Sequence, residues 1–500
     1  MKNISIYFVL LLMLVFSACT KLHETFRSEL EESSSGTIAV EDLLRNAYNS
    51  LNNPFQDQSR FWAAQQHTTD ETIGPTRGPD WDDNGVWRVL HTHQWTPDHG
   101  FLRDTYRELL QAQFAASNVL EFNPSPQQAA EARFLRALTI FCVADGWDQV
   151  PYREDLKDLT KLPVTLKGVD AINFVIQELN EILPNLPNGP AHVANKDAAR
   201  TLLMKCYLNK GAFANRQNPT FDAADMQQVI TLADQITGYT LNDNYFENFA
   251  WDNDEKSSEN IFTLYNKDGD RGGNVRSRWF LGLHYNQKPN GWNGFTTLSD
   301  FYAKFEPTDK RIGGDYPGVT DVSGLKVGFL VGQQYDENGI ALDDRRGNKL
   351  AFKPEVQLKE TGNDLEITGI RVMKYPPDYT GGEQADNDYV IFRYADVLLM
   401  KAEALLRTNQ EAEARTIVNE LRAARGASAL TTLDEQTLLD ERGRELYWEG
   451  WRRQDLIRFG KYLTPWQEKP TDDPKYLLFP IPTEQLAVNP NLEQNPGYAD

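Results

Sequence analysis

Two tryptophans sit where the surrounding residues give an indole ring nothing apolar to bury it. Trp81 lies in PTRGPDWDDNGVW and Trp292 in NGWNG, each flanked by Gly, Pro, Asp or Asn. Such neighbours form turns and polar loops and supply no hydrophobic stripe. A flat ring held out from a polar loop suits the apolar face of a pyranose, while amide, carboxylate and guanidinium groups suit its hydroxyls. Arg77, Asp83 and Asn84 stand beside Trp81, and Tyr285 and Trp279 lie upstream of Trp292 in RWFLGLHYNQKPNGWNGF. These seven residues form the candidate ligand-binding set. Tryptophan density favours the first loop: the chain has 11 in 500 residues, yet Trp62, Trp81, Trp87 and Trp95 fall in one short window. Trp87 and Trp95 have Val86, Val89 and Leu90 for neighbours and are core candidates. The competing readings are loop packing for Trp81 and, for Trp292, a hydrophobic anchor in the FTTLSDFYAKF region.

Other chemistry finds less support. His91, His93 and His99 cluster in HTHQWTPDH. On an extended strand His91 and His93 would face one way, as a metal site needs, but no third ligand is specified and the aromatic neighbours favour packing. No metal and no cofactor are therefore expected. A glycosidase requires two carboxylates placed across the scissile bond. The chain has 72 acidic residues and no motif that selects a pair. Neither a Gly-x-x-x-x-Gly-Lys-Ser/Thr phosphate loop nor a Gly-x-Ser-x-Gly nucleophile elbow occurs. No catalytic residue is assigned, and the chain does not read as an enzyme.

The elements that must position the aromatic loops are mainly helical. AEARFLRALTIFCV carries Phe134, Leu135, Leu138, Phe141 and Cys142 on one helical stripe. NKDAARTLLMKCYLN has Asn195 as a cap, then Ala199, Leu202, Leu203 and Cys206 on one face. Ala395, Leu398, Leu399 and Ala402 repeat the spacing, as do Ala414, Ile417, Val418 and Leu421 after a turn at Thr408 to Gln410. Paired helices with short turns and small alanines suggest a tetratricopeptide-like array. Residues 53–100 and 266–390 are instead rich in Gly, Asp, Asn, Pro and aromatics, and loops of that length are usually functional. The expected fold is a mainly α helical-repeat scaffold with a loop-rich, irregular lobe inserted in it.

Composition bounds the partners. With 40% hydrophobic and 25% charged residues the chain is of ordinary globular type, and 500 residues exceed what one core usually covers. Lys plus Arg is 51 and Asp plus Glu 72, a net charge of −21, which argues against binding a phosphate backbone. Three cysteines give no disulfide framework; Cys142 and Cys206 sit in apolar helical patterns, as small core residues do. The N-terminus MKNISIYFVLLLMLVFSACT has a positive Lys2 and an apolar run too short to span a bilayer comfortably, which favours an export signal over residues 1–18. Small residues leading into Cys19 resemble the bacterial lipoprotein signal, in which that cysteine is acylated. The polar KLHETFRSELEESSSG that follows reads as a tether, residues 19–36.

At the C-terminus, ERGRELYWEGWRRQDLIRFG (441–460), LFPIP (478–482) and NPNLEQNPGY (489–498) resemble the closing signature of SusD/RagB-family lipoproteins. AEARFLRAL with DGWDQVPY, GWNGFTTLSDFYAKFEPTDKR and IFRYADVLLMKAEAL resemble the same family, in family order. The resemblance spans essentially the whole mature chain. It implies four tetratricopeptide-like helix pairs, a variable loop-rich lobe, and an outer-membrane surface lipoprotein anchored in lipid through Cys19. It further implies non-catalytic binding of an oligo- or polysaccharide and its delivery to a SusC-like TonB-dependent transporter. The alternatives are the same transport role for peptides or glycoproteins, or a protein-recruiting scaffold without a small ligand. The expected division is a helical region at 37–265 that includes the aromatic loop 53–100, the variable lobe at 266–390, and helices with an extended tail at 391–500. The interleaved Arg442, Arg444, Arg452, Arg453, Arg458 and Glu441, Glu445, Glu449, Asp455 have spacings that allow helical ion pairs, and packing is their expected role.

Overall fold

Apolar residues at helical spacing dominate both ends of the chain, and both ends fold as helices. The computed structural model describes residues 39–380 and 385–499; the expected signal segment, Cys19 and the tether lie outside them. The scaffold comprises α1 (Val40–Asn49), α2 (Gly100–Val119), α3 (Pro126–Trp147), α4 (Gly168–Ile182), α5 (Lys196–Ala214), α6 (Ala223–Gln235), α7 (Tyr394–Arg407), α8 (Glu411–Ala424), α9 (Glu435–Leu446) and α10 (Arg452–Arg458). Sequence neighbours pack as spatial neighbours from α2 to α6. α6 then packs on α7 although the whole of 236–393 intervenes, and α8 and α9 both pack on α7. This is a tetratricopeptide-like stack with an excursion inserted between α6 and α7.

Local sequence sets the helix ends. Ser125 and Gln128 form a reciprocal capping box in front of α3, with Pro126 at its first position. The Asn195 side chain accepts from the Ala198 N–H at 2.9 Å, capping α5 as its type and position predict. α3 departs from the single stripe its sequence suggests: nearly every residue from Ala130 to Trp147 is buried. The reason is its position, since α1, α2, α4 and α5 all pack on it, and a helix surrounded by neighbours must be apolar all round. Cys142 and Cys206 are buried and unpaired. No helix among the described residues is long and apolar enough to cross a membrane.

The excursion is tied at its base. β1 (Asn260–Leu264) pairs antiparallel with β4 (Tyr389–Arg393), with Leu264 opposite Tyr389. Within it β2 (Val327–Leu330) pairs antiparallel with β3 (Arg371–Met373). Most of the rest is turns and isolated bridges, yet its buried apolar residues share one core with the helices. One bridge joins two aromatic loops: Ile73 and Thr296 exchange backbone hydrogen bonds of 2.9 and 3.0 Å, fastening the loop of Trp81 to the loop of Trp292.

The charged C-terminal signature folds as α9, a turn and α10, and its charges are buried. Only Arg444–Glu441 (2.6 Å) and Arg458–Asp455 (2.7 Å) are the local i,i+3 pairs that helical spacing suggests. The others reach across the molecule: Arg442 to Asp455 and Asp396, Arg452 to Asp70, Arg453 to Asp145 and Arg458 to Glu403. At the centre the Glu445 carboxylate accepts from Arg393 (2.6 Å), Arg425 (2.8 Å) and Arg311 (3.0 Å), all fully buried. Buried guanidinium forks need carboxylates from whichever element lies opposite, so the network joins α9 to the excursion and to the end of α8.

These charges give the stability a definite pH dependence. Burial alone would raise the carboxyls of Glu441 and Glu403. Arg311, Arg444 and Arg422 around the first, and Arg458 and Arg407 around the second, instead hold both down to about 2. An unfolded glutamate titrates near ~4.3, so this stabilisation is complete above about pH 5 and is lost as pH falls toward 2. Glu71 and Asp388 act in the opposite sense. Burial raises them to about 8 and about 7, against Arg452 for the first and donors from Asn266 and Thr263 for the second. The folded chain then keeps protons that the unfolded chain would release, and stability falls as pH rises from about 4 to about 8. The expected urea midpoint is highest near about pH 5 and lower at both about pH 3 and about pH 8.5. A midpoint flat across that range would contradict these assignments.

Candidate functional site

The Trp81 loop is a tight reversal. Arg77 N–H donates to the Asp80 carbonyl at 2.8 Å and Asp80 N–H returns to the Arg77 carbonyl at 3.1 Å, so Gly78 and Pro79 form the tip and Trp81 follows directly. Trp81 itself adopts φ +60°, a left-handed conformation that a bulky residue rarely takes. The strain is offset by the indole's contacts: its N–H donates to the Trp292 carbonyl at 2.8 Å, and its ring lies 5.1 Å from Phe295 and 6.1 Å from Trp87. Asp83 and Asn84 are exposed, and the Asp83 carboxylate accepts the Trp87 indole N–H at 2.9 Å.

The Trp292 loop closes on the same place. Trp292 N–H donates to the Phe280 carbonyl at 2.7 Å, and the two side chains stack at 5.9 Å with planes 19° apart. Gly294 explains part of the NGWNG motif, since a Cβ there would lie 2.3 Å from the Trp81 ring. Only glycine lets the chain pass against the indole. The Trp81 and Trp292 centroids are 6.5 Å apart with planes inclined by 43°. Trp292 is 46% exposed and Trp81 half-buried, so two separated loops form one aromatic shelf.

Tyr285 borders this shelf in a polar cluster. The Arg345 guanidinium lies 3.8 Å over the Tyr285 ring, and it pairs with Glu366 at 2.7 Å and Asp80 at 3.3 Å. Burial works to raise the Glu366 carboxyl, yet donation from the Arg345 backbone, His284 and the Arg345 side chain holds it below its usual range. Arg88 is likewise paired, with Asp82 at 2.8 Å. The charges on these loops are thus largely matched.

Two of the seven candidates are not placed as expected. Trp279 is buried at 2% exposure, because it falls on the inward side of the short helix Ser277–Phe280; it is a core ring and no platform. Arg77 is also buried, and its guanidinium donates to the carbonyls of Gly294 and Leu365 and to the Thr368 hydroxyl. It fixes the shelf from beneath and does not reach a ligand. Trp87 and Trp95 are core residues, as their neighbours suggest. His91, His93 and His99 are buried on carbonyl partners, His93 also on Asp472, and no metal-competent cluster occurs among the described residues. Sequence reasoning missed Phe280 and Arg345. Phe280 directly follows Trp279, and turning that helix by one residue would have exposed it; Arg345, 60 positions beyond Tyr285, carried no signal.

The chain is similar to known proteins. The SusD family model matches residues 246–476. SusD-like protein P25 of Formosa agariphila is 36% identical, covering 79% of each chain. The starch-binding protein SusD of Bacteroides thetaiotaomicron is 28% identical over 74% of this chain and 73% of its own. Among solved structures, surface glycan-binding protein A from Bacteroides thetaiotaomicron in complex with laminarihexaose superposes with a TM-score of 0.67. It is 16% identical in sequence, and the match covers 91% of this chain and 98% of that one.

Proposed function

The chain belongs to the SusD family, and from that membership and the aromatic shelf we propose that it is a non-catalytic, surface-exposed lipoprotein that binds glycans. Trp81 and Trp292 take the apolar faces of successive pyranoses, while Asp83, Asn84 and the Tyr285–Arg345 edge exchange hydrogen bonds with hydroxyls. The observation that carries this reading is the convergence of two indoles from separate loops, 6.5 Å apart, with Trp292 46% exposed. Because Arg88 and Arg345 are already paired with carboxylates, a neutral glycan suits the shelf better than an anionic one.

Stacking on an open shelf is weak. Complete burial of a large side chain is worth roughly 1.5–3 kcal/mol, and sugar stacking on an exposed ring less, so micromolar to millimolar affinity is expected. Weak capture suffices if Cys19 is acylated and the protein caps a SusC-like TonB-dependent transporter, since a tethered partner works at high effective concentration. Opening and closing over the barrel would then expose or enclose the glycan without cutting it.

The test is a retardation gel across starch, laminarin, xyloglucan, xylan, mannan and pectin, with reducing-sugar release measured on the same panel. Retardation by at least one neutral polysaccharide, without release of reducing ends, is expected. Binding to peptides alone would reject the glycan reading.

A further inference from the structure

Among the described residues ten large apolar side chains are exposed, and five of them gather on the helical scaffold, sharing no residue with the aromatic shelf. Phe114 projects from α2, Leu159, Leu162 and Val164 from the hairpin that follows α3, and Val488 from the end of the short helix Thr483–Val488. Their exposures run from 46% for Phe114 to 69% for Val488. Two sets of contacts bring the three segments together. Leu110 and Phe114 of α2 share a crevice with Leu156 and Pro163 of the hairpin. Just beyond Val488, the Asn491 side-chain N–H donates to the Pro163 carbonyl at 2.9 Å, and the Asn491 carbonyl accepts the Thr165 hydroxyl at 2.9 Å.

The hairpin is built to hold its leucines out. Strands Gln149–Tyr152 and Val164–Lys167 pair with Tyr152 opposite Val164, and the connecting REDLKDLTKLP carries Leu156, Leu159 and Leu162 at every third position. The polar groups of this connection close on one another. The Arg153 guanidinium donates to the Lys161 carbonyl, Asp155 accepts the Lys157 N–H at 2.8 Å, and Asp158 accepts the Thr160 N–H at 3.1 Å. Arg153, Lys157 and Lys161 balance Glu154, Asp155 and Asp158, so the tip is ordered by its own turns and carries no net charge.

We infer that this patch rests on a lipid surface, with Phe114, Leu159 and Leu162 entering the boundary between headgroups and acyl chains. The inference rests on the lipid anchoring proposed for Cys19 and adds which side of the scaffold faces the bilayer. Clustered exposed apolar side chains mark a contact surface. The crevice among them measures only about 130 Å³, below the size of small-molecule sites, so the patch suits a deformable apolar medium better than a sugar or cofactor. Lys157 and Lys161, interleaved with the leucines, can lay their stems along the boundary and keep their ammonium groups in water. The anchor is within reach. α1 begins at Val40 and packs along α2, a helix of about 30 Å, so the chain enters within about 30 Å of Phe114. The 20 residues separating Ala39 from Cys19 can span up to about 70 Å. Acyl chains and patch can therefore meet one membrane.

The acylated full mature chain in phosphatidylcholine vesicles tests it, with an environment-sensitive fluorophore on Leu162→Cys and brominated lipid as quencher. Cys142 and Cys206 are buried and do not take the label. Quenching by about half is expected at this position, and by less than about a tenth at Ile340→Cys, an equally exposed residue of the excursion. Adding phosphatidylglycerol or about 0.5 M salt should change neither value, because the tip is neutral. Phe114→Asp/Leu159→Asp should lower the Leu162 signal to the Ile340 level while the protein still floats with the vesicles and keeps its urea midpoint, both residues being exposed. Protein that floats, yet is quenched at Leu162 no more than at Ile340, overturns the inference and leaves the anchor standing. Protein that does not float contradicts the anchor, and the inference falls with it. Shielding of Leu162 that appears only when a transporter barrel is present in the vesicles assigns the patch to a protein and overturns the lipid contact.

Discussion

Glu445→Ala should be among the most destabilising single substitutions in this protein, costing about 3–5 kcal/mol. The carboxylate is fully buried and takes hydrogen bonds from Arg311, Arg393 and Arg425. Burial works to raise its carboxyl, and those three guanidinium groups hold it well below the usual range, so it is ionised throughout the physiological window. Truncation leaves buried positive charge with fewer acceptors: Arg393 keeps Glu449 and shares Glu259 with Arg425, and Arg311 keeps Asp309 and Glu441. Remaining partners moderate the loss but do not refill the lost volume. Urea midpoints measure it, with Glu435→Ala as control, because Glu435 forms its pair with Arg407 from an exposed position. The control should shift by less than about 0.5 kcal/mol. A Glu445→Ala midpoint equal to the control's would mean that the network contributes little beyond its packing volume.

The second large effect concerns binding without stability. Trp292→Ala should weaken polysaccharide binding by about 1–2 kcal/mol, roughly 5–30-fold, and leave the urea midpoint nearly unchanged. Its ring is 46% exposed and meets the protein mainly through Phe280 and the edge of Trp81, so little core is lost. Trp81→Ala should reduce binding by a similar factor but also cost stability. That ring packs on Phe295 and Trp87, and its N–H is bonded to the Trp292 carbonyl, so removal leaves a hole beneath the shelf. A Trp292→Ala protein that binds as tightly as the parent would move the ligand away from the shelf.

How far the sequence revealed this site depends on which physical signal each residue carries. The exposure of Trp292 was legible because turn residues around an indole predict it, whereas Trp81, in the same kind of setting, is half-buried against Phe295 and Trp87, as the loop-packing reading allowed. The convergence of the two indoles was not legible, since it depends on the bridge between Ile73 and Thr296 across 223 positions of irregular chain. Trp279 was misjudged because a four-residue helix has too short a period to reveal its buried side. Arg77 looked like a ligand contact because sequence cannot show that three backbone and hydroxyl acceptors lie opposite its guanidinium. Helices fared better: their caps and stripes are local, so Asn195 and the turn at Thr408 to Gln410 marked real boundaries. The ion pairs of α9 and α10 were legible as charge but not as partners, because Asp70, Asp145 and Glu403 come from distant elements.

The most direct measurement uses a polysaccharide that retards the parent protein in a native gel, and compares parent, Trp81→Ala/Trp292→Ala and Trp279→Phe. The double variant is predicted to run as though no polysaccharide were present, and Trp279→Phe, altered only in the core, to run as the parent does. A double variant still fully retarded would contradict the aromatic shelf as the glycan site.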